Sequence, residues 1–507
     1  MNTGKQILTA AAALGMAAAV PLAIGCKGHA QKTAPAQASD SAAAFHFPTP
    51  AEAAAIRKGS EAERNRELKL LGIAKMQPPA TAYDIGKPGN ANFDEAKANP
   101  YPHLPPLLVM NNGTRVKTPA QWAERRKEIQ AAFAEDVYGK YPAHIPGVTW
   151  TVDSVQHMSV AGVAAIVKHV TGHVDNSGDP AIAVNIDADI VTPASTQGKK
   201  VPVIIGGGTL HPFHFTPRPA APGQVVHRLA MPPNPPDSAK LLLENGWGFV
   251  GRNSNQVQAD NCAGLDKGII GLVNHGRPRS LDDWGVLRAW AWGDSRILDY
   301  LETDPDVDGS KVGVMGHSRG GKAALVAMAD DPRFAIGYIS SSGAGGADLY
   351  RRNYGETMGN LCAVNEFHWF AGNFLRYCAV GRSANDLPVD SHEFIALVAP
   401  RPLFISGGAL IVTPEYAPGD AWQDARGMFM AAAAASPAWQ VLGYQGLGTT
   451  RFPPIGTLID SGRIAYRQHH WGHTPAPNWP YFIQFAKKQF GEKMMAGQPE
   501  QRAQPNP

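Results

Sequence analysis

The apolar positions change period several times along the chain, and each change predicts an element. From Thr118 to Val137, Trp122, Ile129, Phe133 and Val137 recur with charged residues between them, the spacing of a helix. Val163–Val170 and Ala181–Val191 are apolar-rich and β-branched, and read as strands. Val201-Pro202-Val203-Ile204-Ile205 is a continuous apolar run closed by Gly206-Gly207-Gly208, the form of a short buried strand. Trp247–Val250, Lys311–Met315, Phe334–Ile339 and Leu403–Ser406 are further strands of this kind. Leu281–Leu301 is helical, with Leu287, Trp290, Ile297 and Leu301 as its apolar positions. Lys322–Ala329 and Trp479–Gly491 are helices too, while Gln440–Leu442 and Ile464–Tyr466 are weaker strand candidates. Strands alternating with helices predict an α/β fold, a parallel sheet covered on both faces.

Outside this pattern the chain reads differently. Residues 31–60 are rich in Ala, Ser, Thr and Pro, and the Pro-studded stretch to about residue 110 has little periodicity. Residues 27–110 are therefore expected to be flexible and extended, 111–492 to form a single domain, and 493–507 to be a disordered tail. The first 26 residues have the form of an export signal. Lys5 is followed by an apolar run from Ile7 to Ile24, ending in Ala23-Ile24-Gly25-Cys26. Gly before Cys resembles a bacterial lipoprotein site, which would place a lipid anchor on Cys26. Cleavage after Ala30, with Gly28 and Ala30 as the small residues, is the alternative. No later stretch reaches the ~18 uninterrupted apolar residues of a membrane span.

Composition narrows the function classes. The 507 residues are 44% hydrophobic and 18% charged, enough for a large core. Lys and Arg number 46 against 43 Asp and Glu, too even a balance for a nucleic-acid binder. The four cysteines form no CxxC pair, which argues against a structural zinc site or an iron–sulfur cluster. In an oxidising compartment Cys362 and Cys378 could pair, a point left open by sequence.

The sharpest chemical signal is Gly316-His317-Ser318-Arg319-Gly320, a G-x-S-x-G between a predicted strand and a predicted helix. This context makes a nucleophile elbow: the serine sits on a strained turn with the helix N-terminus behind it. The backbone N–H of Arg319 then points at a developing oxyanion. Arg319 and Lys322 bring two cations toward the reacting carbonyl, of little use to a lipase but suited to a polar or anionic substrate.

Gly316-His317-Ser318-Arg319-Gly320-Gly321-Lys322, followed by Ser342-Gly343-Ala344-Gly345-Gly346, resembles the glucuronoyl esterases, carbohydrate esterase family 15. Arg351-Arg352-Asn353-Tyr354-Gly355-Glu356, His368-Trp369-Phe370 and Ala399-Pro400-Arg401-Pro402-Leu403 extend the resemblance, which covers most of residues 115–490. It implies a three-layer α/β/α sandwich of the α/β-hydrolase type. It also implies hydrolysis of the ester between 4-O-methylglucuronate of xylan and lignin alcohols, with no metal or organic cofactor.

A serine nucleophile needs a base and the base an orienting acid, in the chain order Ser, acid, His for α/β hydrolases. The candidates for the base are His469, His470 and His473. His473 follows Gly472 and is favoured, with His470 as the alternative. In fungal members of the family a Glu precedes Ser-Gly-Ala-Gly-Gly; here that position is Ser341, which cannot serve as a carboxylate. Some bacterial relatives place an Asp two residues before a Trp after a late strand, and Asp420 and Trp422 match that spacing. Asp424 is the rival acid, and Asp420 could instead cap a helix starting near Trp422.

The resemblance assigns Lys322, Glu356 and Trp422 to the uronate hydroxyls. Glu356 could alternatively pair with Arg351 or Arg352, and Trp422 could be core. Arg319 would add a charge-assisted bond to the oxyanion, and the Gly206-Gly207-Gly208 turn could bring a second backbone donor. The expected protein is an exported, monomeric serine esterase acting on glucuronoxylan–lignin esters. An acetyl xylan or other carbohydrate esterase and a non-catalytic polysaccharide-binding relative are the alternatives. A peptidase of the prolyl-oligopeptidase type would need a β-propeller, and no internal repeat is present to build one.

Overall fold

The computed structural model describes residues 48–81, 89–210, 231–409 and 419–492. The export signal expected over residues 1–26, the anchor at Cys26 and the tail 493–507 lie outside these. Ten strands form one sheet: β1 (Val148–Val160), β2 (Val163–Val174), β3 (Asn185–Pro193), β4 (Val201–Ile205), β5 (Gly248–Arg252), β6 (Val307–His317), β7 (Ile336–Ser340), β8 (Leu403–Gly408), β9 (Leu458–Ile459) and β10 (Ile464–His469). Their order across the sheet is β1-β2-β3-β5-β4-β6-β7-β8-β10-β9. The run β5-β4-β6-β7-β8-β10 is parallel, and both flanks are antiparallel. The helices among the described residues are α1 (Pro50–Leu70), α2 (Pro119–Asp136), α3 (Ser238–Glu244), α4 (Gly268–Val273), α5 (Val286–Thr303), α6 (Arg319–Asp330), α7 (Met358–Leu361), α8 (Ser391–Ala396), α9 (Ala425–Val441) and α10 (Trp479–Phe490).

The period of two within each central strand divides its apolar residues between two cores. Val203 and Ile205, Val312 and Val314, Leu403 and Ile405, and Ile464 and Tyr466 face one side, under α2, α5, α6, α8 and α9. Ile204, Met315, Tyr338, Phe404 and Ala465 face the other, where α3 and α10 contribute Leu242, Trp479, Phe482 and Phe485. Strands buried on both faces read as continuous apolar runs, as β4 does. The result is the three-layer α/β/α sandwich. No described helix is long and apolar enough to cross a membrane.

Three expectations need correction. Residues 27–110, read as flexible and extended, contain the 21-residue helix α1. Its periodicity is faint because it is held by polar contacts. Glu67 and Arg279 form a fully buried ion pair, Nε–Oε1 2.9 Å, and Arg64 Nε donates to the Cys362 carbonyl at 2.8 Å. Gln440–Leu442, a strand candidate, is the end of α9 and its C-cap. The segment Ala181–Val191 becomes strand only from Asn185. The edge strand β1 gave no signal because most of its residues are exposed, so no buried face imposes alternation. Cys362 and Cys378 are joined by a disulfide, and Cys262 is a buried thiol.

Candidate active site

The site is assembled at the C-terminal ends of β5, β6, β7, β8 and β10, the edge at which parallel α/β sheets place their ligands. Ser318 follows β6 and precedes α6, with φ 59° and ψ −130°. A non-glycine residue at positive φ stores strain, and here it turns the chain sharply from strand into helix. Its N–H donates to the Ser340 carbonyl on β7 at 2.9 Å. The neighbouring glycines are not equivalent. A Cβ on Gly316 would lie 1.9 Å from the Gly320 carbonyl oxygen, and one on Gly321 would lie 2.9 Å from the Ser340 oxygen. A Cβ on Gly320 would meet nothing within 4 Å. Strand and helix therefore close on Gly316 and Gly321, while Gly320 of the motif faces open space.

His473 lies on the loop after β10, and Asp420 opens the turn Asp420–Gln423 that follows β8. The structure brings them together: His473 Nδ1 is 2.6 Å from Asp420 Oδ1. His473 also packs its ring against His317, the neighbour of Ser318, with centroids 4.2 Å apart. Asp420 is fully buried and takes two more donors, the Ser341 hydroxyl at 2.6 Å and the Gly408 N–H. Burial alone would raise its pKa. The bond and charge of His473, with the Ser341 hydroxyl, outweigh burial and hold the carboxyl at about 2. His317 is kept neutral, its pKa pushed well down by burial and then by the charge of His473.

The rival residues are occupied elsewhere. Asp424 is the N-cap of α9, accepting from Gly427 N–H at 2.9 Å and from the Arg352 guanidinium. The helix-capping role considered for Asp420 thus belongs to Asp424. His470 is exposed. His469 is buried between the Thr474 carbonyl, 2.8 Å from Nε2, and the Trp471 N–H, 3.1 Å from Nδ1.

Lys322 and Glu356 are both buried and form an ion pair at 2.7 Å, with Lys322 Nζ also donating to the Ser342 carbonyl at 2.7 Å. Glu356 does not take Arg351 or Arg352, which pair with Asp390 and with Asp424 and Glu95. The Glu356 N–H donates to the Trp422 carbonyl at 2.8 Å, which ties two of the predicted pocket residues together. Gly355 allows this approach: its φ is +60°, and a Cβ there would lie 2.3 Å from the Trp422 oxygen. Trp422 itself is half-buried. Gly206 and Gly207 already donate to Val250 and Ile204 carbonyls, at 2.9 and 3.1 Å. The Gly206 and Gly207 amides are thus engaged, one across to β5 and one within the turn, and neither is the second oxyanion donor expected of Gly206-Gly207-Gly208.

Three participants escaped the sequence. Asp260, on the loop after β5, lies 2.5 Å from Arg319 Nη1. The buried Trp369 sets its ring under two cations, 5.2 Å from the Arg319 guanidinium and 5.7 Å from Lys322 Nζ. Glu366 carries a buried Oε2 with no hydrogen-bond partner. Burial, then the charge of Glu356, pushes its carboxyl up to about 8. Only Trp369 carried a signal, in the motif His368-Trp369-Phe370. Among the described residues no group of three or more His, Cys, Asp or Glu is placed to hold a metal ion.

A family profile described as glucuronyl esterase, fungi, matches residues 279–443. A carbohydrate esterase of an unknown prokaryotic organism is 31% identical over 439 residues, 79% of this chain and 92% of the relative. A 4-O-methyl-glucuronoyl methylesterase of Podospora anserina is 41% identical over 308 residues, 59% of this chain and 53% of the relative. The solved glucuronoyl esterase of Teredinibacter turnerae superposes with a TM-score of 0.75 at 38% identity, covering 85% of this chain and all of that one. With a nucleophile elbow after β6, and with the prokaryotic carbohydrate esterase and the Teredinibacter turnerae enzyme matched along 92% and all of their lengths, the chain belongs to carbohydrate esterase family 15, the glucuronoyl esterases.

Proposed function

We propose that this esterase cleaves the ester linking (4-O-methyl)glucuronate of xylan to lignin alcohols, through an acyl-enzyme on Ser318. His473 takes the Ser318 hydroxyl proton as Oγ attacks the ester carbonyl. Asp420, bonded to Nδ1, selects the tautomer that leaves Nε2 free to act as base, and stabilises the imidazolium that forms. The oxyanion is met by the backbone N–H of Arg319, first in α6, and by the Arg319 guanidinium. The C–O bond to the alcohol then breaks, and His473 returns its proton to the leaving oxygen. Water, deprotonated by the same imidazole, attacks the acyl-enzyme, and glucuronate leaves with Ser318 reprotonated. Lys322, Glu356 and Trp422 are assigned to the uronate ring, where a carboxylate acceptor and an indole face suit sugar hydroxyls.

The observation that carries this reading is His473, bonded to a buried Asp420 and packed against His317, the residue next to Ser318. Export from a bacterium, with or without a lipid at Cys26, and a monomeric state complete the proposal. The test is steady-state hydrolysis of benzyl glucuronate by wild type and Ser318→Ala. Turnover that vanishes in the variant supports the reading. Turnover of acetyl esters but not of the glucuronate would assign a different carbohydrate ester. No turnover of either ester by the wild type would sink the catalytic reading.

A further inference from the structure

Arg319 carries a long side chain that is a quarter exposed. Such a side chain has rotamer freedom to lose before it can meet a developing oxyanion. Asp260 and Trp369 restrict it. Asp260 Oδ2 accepts from Nη1 at 2.5 Å, and the Trp369 ring lies 5.2 Å from the guanidinium carbon. The same carboxylate holds that ring: Asp260 Oδ1 accepts from Trp369 Nε1 at 2.7 Å and from His368 Nε2 at 3.0 Å. One residue thus sets the edge partner of Arg319 and the orientation of the surface beneath it. Nη1, one of the five N–H donors of the guanidinium, is committed to Asp260.

The loop carrying Asp260 is itself held. Its N–H donates to Asn255 Oδ1 at 3.0 Å. Helix α1 packs on the turn Cys262–Gly264 just beyond it, where the Ala263 N–H donates to Ser60 Oγ at 3.2 Å. Asp260 remains ionised although burial opposes this: the bond from His368, the charge of Arg319 and the Trp369 N–H keep its pKa below the usual carboxylate range. His368 is buried with its own pKa lowered by burial, so it donates to Asp260 as a neutral imidazole.

We infer that Asp260 is a positioning residue for the reaction, fixing the Arg319 guanidinium and the Trp369 ring so that Arg319 meets the oxyanion without reorganising. This rests on the reading of Arg319 as an oxyanion donor. Loss of one such donor lowers kcat by about 10²–10³-fold. Loss of the residue that aims it should cost less, on the order of 10-fold or more in kcat, with KM nearly unchanged.

The experiment is a double-mutant cycle on benzyl glucuronate with Asp260→Ala, Arg319→Ala and the pair, each checked by thermal unfolding. Asp260→Asn serves as the second variant, because it keeps an acceptor for Trp369 and removes the charge. The expected result is a kcat loss for Asp260→Ala that largely disappears when Arg319 is already alanine, with partial recovery in Asp260→Asn. An equal loss in both backgrounds overturns the inference, since Asp260 would then act through something other than Arg319. A large effect of Arg319→Ala beside a silent Asp260→Ala overturns it while leaving the oxyanion reading intact. A silent Arg319→Ala removes both.

Discussion

Two carboxylates flank the nucleophile turn, and they do different work with the same construction. Asp420, fully buried, accepts from His473, Ser341 and Gly408. Asp260, a fifth exposed, accepts from Arg319, His368 and Trp369. Each holds three donors and is kept ionised by them against the cost of burial. The difference is in the cation. In the proposed mechanism Asp420 faces an imidazole whose charge changes during turnover, so its own charge enters the barrier. Asp260 faces a guanidinium that never loses its proton, so it contributes position alone. A carboxylate hub therefore tunes proton affinity or fixes geometry according to the partner it is given.

The comparison breaks most sharply at Asp420. Asp420→Ala should lower kcat on benzyl glucuronate by about 10³–10⁴-fold, because the imidazole loses its tautomer and its counter-charge. A loss no greater than that of Asp260→Ala would make the two hubs equivalent and return the search for the acid to Asp424. Next is the buried Lys322–Glu356 pair. Glu356→Gln leaves Lys322 charged and buried without its counter-ion, a change that costs about 3–5 kcal/mol in stability. Thermal denaturation should show a clear drop in Tm, and KM for the glucuronate should rise more than kcat falls. An unchanged KM would remove Glu356 from the sugar site and leave it a structural anchor.

A pH series sharpens the electrostatic half of the comparison. The Asp420 pKa is depressed to about 2 from 3.8, so its contribution is present above pH 4 and lost as pH falls toward 2. That loss amounts to about 2 kcal/mol. Asp420→Ala should flatten this part of the acid unfolding curve, and a curve identical to wild type would contradict the assignment. The smallest effect is expected of Ser341→Ala. It removes one of three donors, costs about 1 kcal/mol, and lets the Asp420 pKa rise. With the Asp420 pKa less depressed, the acid unfolding transition should move up in pH, with kcat at neutral pH nearly kept.

The central sandwich was legible from periodicity because its strands are buried on both faces and its main helices have one apolar stripe. Helix α1 was not, since its hold on the domain is polar and depends on Glu67 meeting Arg279, 212 residues away. Helix α9 was missed apart from its last turn, read as a strand, because an alanine-rich stretch carrying Pro437 has no clear stripe. In the site, Ser318 stood out because an elbow is a local device written in consecutive residues. Asp420 and His473 were found by chain order and by resemblance. Ser341 was noted only as a missing carboxylate. Its φ of 46° turns the hydroxyl onto Asp420, a role that no neighbour in sequence announces.

The sequence by itself determined the parallel α/β core, the strained serine turn and the family, since each depends on short-range patterns of size, polarity and glycine. The resemblance favoured Asp420 over its rival Asp424, and tertiary structure separated the two by what is folded against each: His473 against Asp420, the first turn of α9 against Asp424. Tertiary structure also decided the partner of Arg319. Asp260 is 59 residues away and comes from another strand end, and only the order of strands in the sheet brings the two side chains within a hydrogen bond.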